Sequence, residues 1–159
     1  MAESGELTVR EVMRREVPLA EPGTTIAELA RLMVEHRVPG VPVVRAGTLV
    51  GIVTEADLIQ REAEVDVPRI FPILDALIVA DAGRPFEEEL RRVVATTAEE
   101  LMTSPVISIR DIATVSELAT IMLQEEINQL PVVDDDHRIV GLATRTGIVE
   151  LIARLESAT

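Results

Sequence analysis

The chain contains the same pattern twice. Glu11-Val12-Met13 recurs as Glu100-Leu101-Met102, and Thr25-Ile26-Ala27-Glu28-Leu29-Ala30-Arg31-Leu32-Met33 recurs as Thr114-Val115-Ser116-Glu117-Leu118-Ala119-Thr120-Ile121-Met122, both at an offset of 89 residues. Val38-Pro39-Gly40-Val41-Pro42-Val43-Val44 matches Ile127-Asn128-Gln129-Leu130-Pro131-Val132-Val133 at the same offset. At Gly51 and Gly141 the offset has become 90, so one residue is inserted in between, where Asp134-Asp135-Asp136 stands opposite Arg45-Ala46-Gly47. An insertion confined to a polar turn is what a duplicated fold tolerates. In 159 residues, two such units fit as one compact domain or as two small ones sharing a core.

Each unit has the same local signals. Val17-Pro18-Leu19, and Val106 to Ile109 in the second copy, read as a short strand. Thr25 with Glu28, and Thr114 with Glu117, are capping boxes that open a helix. Ile26, Leu29, Ala30 and Met33 then recur at helical spacing, as do Val115, Leu118, Ala119 and Met122, giving each helix one apolar stripe. Two strands joined by a polar turn follow: Pro42–Val44 with Leu49–Val53, and Pro131–Val133 with Ile139–Ala143. A closing helix starts after Thr54 and another after Thr144. The expected fold is α+β: two β-α-β-β-α repeats, over residues 7–64 and 96–156, related by a pseudo-two-fold axis. Between them, residues 65–95 form a partly helical insert broken by Pro68, Pro72 and Pro85. Phe86 to Val94 reads as a helix with its acids early and its arginines late, and the insert is expected to pack on the pair or on a second subunit.

The stretch Leu49-Val50-Gly51-Ile52-Val53-Thr54-Glu55-Ala56-Asp57 turns a buried strand directly into a helix, with Thr54 and Asp57 three apart at the helix start. On composition alone this is a helix cap with an acidic third residue. The free N–H groups and dipole of that terminus also favour an oxygen-rich or anionic group. The second copy, Ile139 to Gly147, keeps Thr144 and replaces the acid with Gly147.

Fifteen basic against 28 acidic residues, a net charge of −13, disfavour nucleic acid as a partner. Phe71 and Phe86 are the only aromatic residues, so a bound base must be sandwiched by aliphatic side chains. No secretory signal or membrane span is visible, and the absence of Cys fits a cytoplasmic location. Asp134-Asp135-Asp136 lacks the spaced ligands and Gly of a calcium loop, so no metal is expected there. His36 and Arg37 close the first helix, where cations suit its dipole, and His137 falls in a solvated hairpin.

Taken together, Val12-Met13 and Leu101-Met102-Thr103 at the repeat starts, Val41-Pro42-Val43-Val44 and Leu130-Pro131-Val132-Val133-Asp134, and Gly51 to Asp57 resemble the CBS domain in a stand-alone tandem pair, or Bateman module. The resemblance covers most of the chain apart from the insert. It implies a non-catalytic regulatory module that binds an adenosine-containing ligand (AMP, ADP, ATP or S-adenosylmethionine) as a regulatory ligand, with no other cofactor. It further implies a homodimer and a regulated partner on another chain. In the family, a Thr or Ser and an Asp spaced T-x-x-D hold the ribose, which here matches Thr54 and Asp57. The base would be lined by Val17, Pro18, Val38, Pro39, Gly40 and Val41. A weaker second site would use Thr144, Arg145, Val106, Ile107, Asn128, Gln129 and Leu130, where Gly147 departs from the pattern and Arg145 offers a phosphate contact. The alternative reading is a structural homodimerisation module with no ligand. An enzyme is disfavoured, because no Cys, no Ser/His/Asp set and no Gly-rich phosphate loop is present.

Overall fold

Thr25 and Thr114 each cap a helix in the way their spacing from Glu28 and Glu117 predicts. In the computed structural model, which describes residues 5–65 and 97–158, Thr25 Oγ1 accepts from Glu28 N at 3.2 Å and Thr114 Oγ1 from Glu117 N at 3.0 Å. The insert at 65–95, with its expected helix at Phe86–Val94, lies outside the described residues apart from Val65, the last residue of a helix. The first repeat consists of α1 (Ile26–His36), β1 (Gly40–Arg45), β2 (Thr48–Thr54) and α2 (Glu55–Val65). The second consists of α3 (Ala98–Leu101), β3 (Ile109–Arg110), α4 (Val115–Gln124), β4 (Gln129–Val133), β5 (Ile139–Thr144) and α5 (Arg145–Ser157). A single 3₁₀ turn, Val9–Glu11, precedes α1.

Each repeat has an antiparallel hairpin at its centre, β1 with β2 and β4 with β5. Both hairpins change register at the equivalent place, between Val43 and Val44 and between Val132 and Val133. Their turns differ. Ala46 and Gly47 both have positive φ, 51° and 80°, which is the backbone of a two-residue primed turn. The inserted residue makes the second turn longer, with His137 in the left-handed region at φ 62° and Asp134 Oδ1 accepting from Asp136 N and Arg138 N. Asp134 therefore acts as a turn former. The expected leading strands are shorter and later than the sequence indicates. Val17-Pro18-Leu19 is replaced by a single bridge from Ala20 to Val43, and Val106–Ile109 by the two-residue β3 paired parallel to β4. Pro18 has no N–H to donate to a ladder.

The segment that begins each repeat packs on the other repeat's sheet. Arg14 N donates to Leu142 O and accepts in return, both at 2.9 Å, so it extends the edge of β5. Thr103 does the same to Ile52 on β2, at 2.9 and 3.3 Å. Val9 and Val12 are buried in the core of the second repeat with Leu118, Leu130 and Ala143. Ala98 is buried in the core of the first, with Leu29, Val41 and Val53. Two glycines make room for the exchange. A Cβ on Gly51 would lie 2.5 Å from Met102 Sδ, and one on Gly141 would lie 2.7 Å from the Arg14 carbonyl and 2.8 Å from Met13 Sδ.

The exchange also sets up an ion pair. Arg10 Nε donates to Asp111 Oδ2 at 2.6 Å, and Arg10 N donates to Asp111 O. The Arg10 hydrogen bond, followed by its charge, outweighs the desolvation of the buried Asp111 and holds its carboxyl below the ordinary carboxylate range. The stability from this shift is present above the unfolded carboxyl's value, near pH 4, and is lost as pH falls through the lower folded value. Asp111→Asn should therefore lower the melting temperature at pH 7, and the gap to wild type should close as pH drops below about 4. Thermal melts across that range check this.

The glycine contacts predict an asymmetry. Gly51→Ala and Gly141→Ala should each cost about 1–3 kcal/mol. Met102→Ala should relieve Gly51→Ala, since the obstacle is a flexible side chain. Met13→Ala should not relieve Gly141→Ala, where backbone is in the way. Chemical denaturation of the double mutants reads both couplings.

Candidate functional site

The exchange brings the helix start of each repeat opposite the leading segment of the other. Thr54 ends β2, and Glu55 opens α2 by donating its N–H to Pro39 O at 3.0 Å. Asp57 folds back onto Thr54: its Oδ2 accepts from Thr54 N at 2.8 Å and from Thr54 Oγ1 at 3.1 Å. Thr144 and Arg145 repeat the arrangement, with Arg145 N donating to Asn128 O at 3.0 Å. There Thr144 Oγ1 accepts from Gly147 N at 3.1 Å, and Gly147 stands at the position that Asp57 holds in the first repeat.

A cleft of about 480 Å³ opens at the Thr54 end. One wall is Thr54, Glu55, Ala56 and Ile59 of the first repeat. The facing wall is Thr103, Pro105, Val106 and Ile107, with Glu126 to Gln129, all from the second repeat. The second cleft, of about 650 Å³, has Thr144, Thr146, Gly147 and Glu150 on one side. Val12, Arg14 and the 35–39 segment, with His36, Arg37 and Val38, form the other side. A smaller cavity of about 430 Å³ adjoins it between Arg145, Thr146 and Asn128.

These clefts regroup the expected residues. Thr54 stands with Val106, Ile107, Asn128 and Gln129, and does not face Val17, Pro18 or Val41. Val38 belongs with Thr144 in the second cleft, while Pro39 lies between the clefts and lines both. Val17 packs on the first core, Pro18 and Val41 are buried, and Leu130 is buried in the second core. Gly40 is covered by the Gln129 side chain, whose Nε2 donates to Pro39 O at 2.9 Å. In the cavities the grouping runs across repeats and not within each one. Its cause is the pairing of Thr103 with β2 and of Arg14 with β5, which carries each leading segment over to the other helix start. Sequence reading passed over Glu55, Ile59, Glu126 and Arg14 as site residues, since their place depends on that pairing.

Gly147 has a steric reason. A Cβ there would lie 2.6 Å from the Val12 carbonyl oxygen, so the exchanged segment occupies the space an acid would need. Arg14 crosses the same cleft and donates to Arg37 O at 2.6 Å and His36 O at 2.8 Å, satisfying carbonyls at the end of α1. The second cleft is partly filled by the protein itself.

A duplicated α+β unit with exchanged leading segments and a cleft at each inter-repeat seam is a paired-repeat module. The chain belongs to the CBS domain family, whose model matches residues 9–64 and again 98–154. It is 27% identical over 158 residues to the uncharacterized protein MJ1426 of Methanocaldococcus jannaschii, covering 94% of each chain. Its fold matches the crystal structure of the CBS domain pair of protein MJ0100 in complex with 5′-methylthioadenosine and S-adenosyl-L-methionine. That match has a TM-score of 0.69 and 26% identity, over 91% of this chain and 98% of that one. It also matches that of CBSX2, an Arabidopsis thaliana protein, in complex with AMP, with a TM-score of 0.72 and 24% identity over 94% and 98% of the two chains.

Gly147→Ala tests the closed geometry of the second cleft. A Gly-to-Ala change inside a helix ordinarily stabilises by about 0.5–1 kcal/mol. Here the Val12 carbonyl should reverse the sign, giving a loss of about 1–3 kcal/mol by denaturant titration. A gain would show that the segment around Val12 yields.

Proposed function

We propose that this chain is a non-catalytic regulatory module whose principal ligand, an adenosine-containing small molecule, binds in the cleft at Thr54. The observation that carries this reading is the composition of that cleft. It is an apolar slot with a polar end, formed by Ile52, Ile59, Val106, Ile107 and Ile127 near the Thr54 hydroxyl. The aliphatic walls suit the faces of a purine, and no aromatic ring is among the described residues that line them. Thr54, which lines the cleft, is bonded to Asp57 at the helix start, and the Asp57 carboxylate is of the type that accepts from a vicinal diol. The MJ0100 pair, with its methylthioadenosine and S-adenosylmethionine, supports an adenosine moiety as the shared element.

The module acts as a homodimer in this reading. Among the described residues, the most exposed apolar helix residues come in repeat-related pairs, Val34 with Leu123 at 78% and 81% exposure and Ile59 with Val149 at 69% and 62%. A surface with that internal symmetry suits a second copy of itself. Val34→Glu with Leu123→Glu should halve the mass seen by sedimentation equilibrium. An unchanged mass would place any self-association elsewhere.

A thermal-shift series with adenosine compounds tests the ligand reading. At a hundred times its Kd a ligand adds about 2.7 kcal/mol, or roughly 5–10 °C for a chain of this size. The shift should vanish in Asp57→Ala, measured against that variant's own melting temperature. No shift with any adenosine compound would favour the purely structural dimerisation module.

A further inference from the structure

The duplication allows the two clefts to be compared position by position, and three equivalent positions differ in charge. Arg145 follows Thr144 at the start of α5, and its counterpart on α2 is Glu55. Arg37 follows α1 with a left-handed backbone, φ 52°, and its counterpart after α4 is Glu126, φ 54°. Arg14, which extends β5, corresponds to Thr103, which extends β2. In each case the cation lines the second cleft or its adjoining cavity and the acid or neutral residue lines the Thr54 cleft, with Glu55 at the boundary of both clefts.

Among the described residues, no Arg or His lines the Thr54 cleft, while Glu55 and Glu126 both do. Arg145 comes nearest through Asn128, but its guanidinium donates to Asn128 Oδ1 at 3.0 Å and lines the neighbouring cavities. Asp57, which does not itself line the cleft, is the second carboxylate at the Glu55 helix start, and the two already complement the helix dipole that a phosphate would otherwise use. Among the described residues that line this cleft, a phosphate would face carboxylates and no counter-cation. The second cleft is mixed: Arg14, Arg37 and His36 share it with Glu35, Glu55 and Glu150.

We infer that the Thr54 cleft selects adenosine derivatives by the charge of the 5′ substituent, accepting an uncharged or cationic group such as a thioether or sulfonium and rejecting phosphates. This rests on the adenosine reading of the same cleft and narrows its ligand class. Glu55 and Glu126 are the specificity-determining residues. They select by repulsion as well as attraction, and Thr54, Asp57 and the aliphatic walls hold the nucleoside part common to all candidates.

The test is calorimetric titration of the full chain with adenosine, 5′-methylthioadenosine, S-adenosylmethionine, AMP and ATP. Methyl NMR of Ile59 and Ile107 marks the Thr54 cleft, and that of Thr146 marks the second. S-adenosylmethionine and methylthioadenosine should perturb Ile59 and Ile107 and bind at least about tenfold more tightly there than AMP or ATP. In the Glu55→Gln, Glu126→Gln variant, the affinity of AMP relative to adenosine should rise about tenfold at Ile59 and Ile107, and that of S-adenosylmethionine relative to adenosine should fall. AMP or ATP binding at Ile59 and Ile107 as tightly as methylthioadenosine in the wild type would overturn the charge rule while leaving the adenosine reading intact. Failure of every compound, adenosine included, would remove both.

Discussion

The structure depends on the exchange of leading segments between the repeats. Arg14 completes the edge of β5 and Thr103 the edge of β2, each through a reciprocal pair of backbone hydrogen bonds. Without them those strand edges would present unpaired N–H and C=O groups. The same segments place Val9 and Val12 in one core and Ala98 in the other, so neither repeat closes its core from its own residues. The pair is therefore the unit of stability, and the two glycines at the crossings, Gly51 and Gly141, are required by the close approach of Met102 in one case and of Met13 and Arg14 in the other.

The exchange also makes the clefts. Each leading segment, after pairing with the other repeat's strand, runs past that repeat's helix start and becomes the facing wall of a cavity. Both clefts are therefore shared by construction, and Pro39, at their common boundary, lines the two. Its carbonyl accepts from Glu55 N and from Gln129 Nε2, which ties the Thr54 helix start to the second repeat. Duplication then allowed the clefts to diverge. At Gly147 the Val12 backbone takes the place of an acidic side chain, whereas Asp57 remains and is bonded to Thr54.

Much of the fold was legible in the sequence. Thr25 with Glu28 and Thr114 with Glu117 marked both helix starts, and the P-V-V runs marked the strands before the turns. The one-residue insertion predicted turns of different length, which Ala46-Gly47 and the Asp134–Arg138 turn supply. A ribose-binding role for Thr54 and Asp57 was expected only from the family resemblance, but their meeting at a helix start was legible in their spacing. The partners across the clefts were not, because the pattern that identifies Val12-Met13 as a repeat start does not say which sheet it will join. That information lies in contacts such as Arg14 with Leu142, which are 128 residues apart and have no local signature. The charge reversal at Glu55 and Glu126 was present in the alignment of the repeats, but it acquired meaning only when both were seen on one wall system.

The proposed ligand site belongs to neither repeat alone. A crystal structure of the full chain with 5′-methylthioadenosine tests it most directly. The account predicts the nucleoside between Thr54, Asp57 and Ile59 on one side and Val106, Ile107 and Asn128 on the other. A nucleoside held by Thr54 with Val17, Val38 and Val41, all from the first repeat, would contradict it.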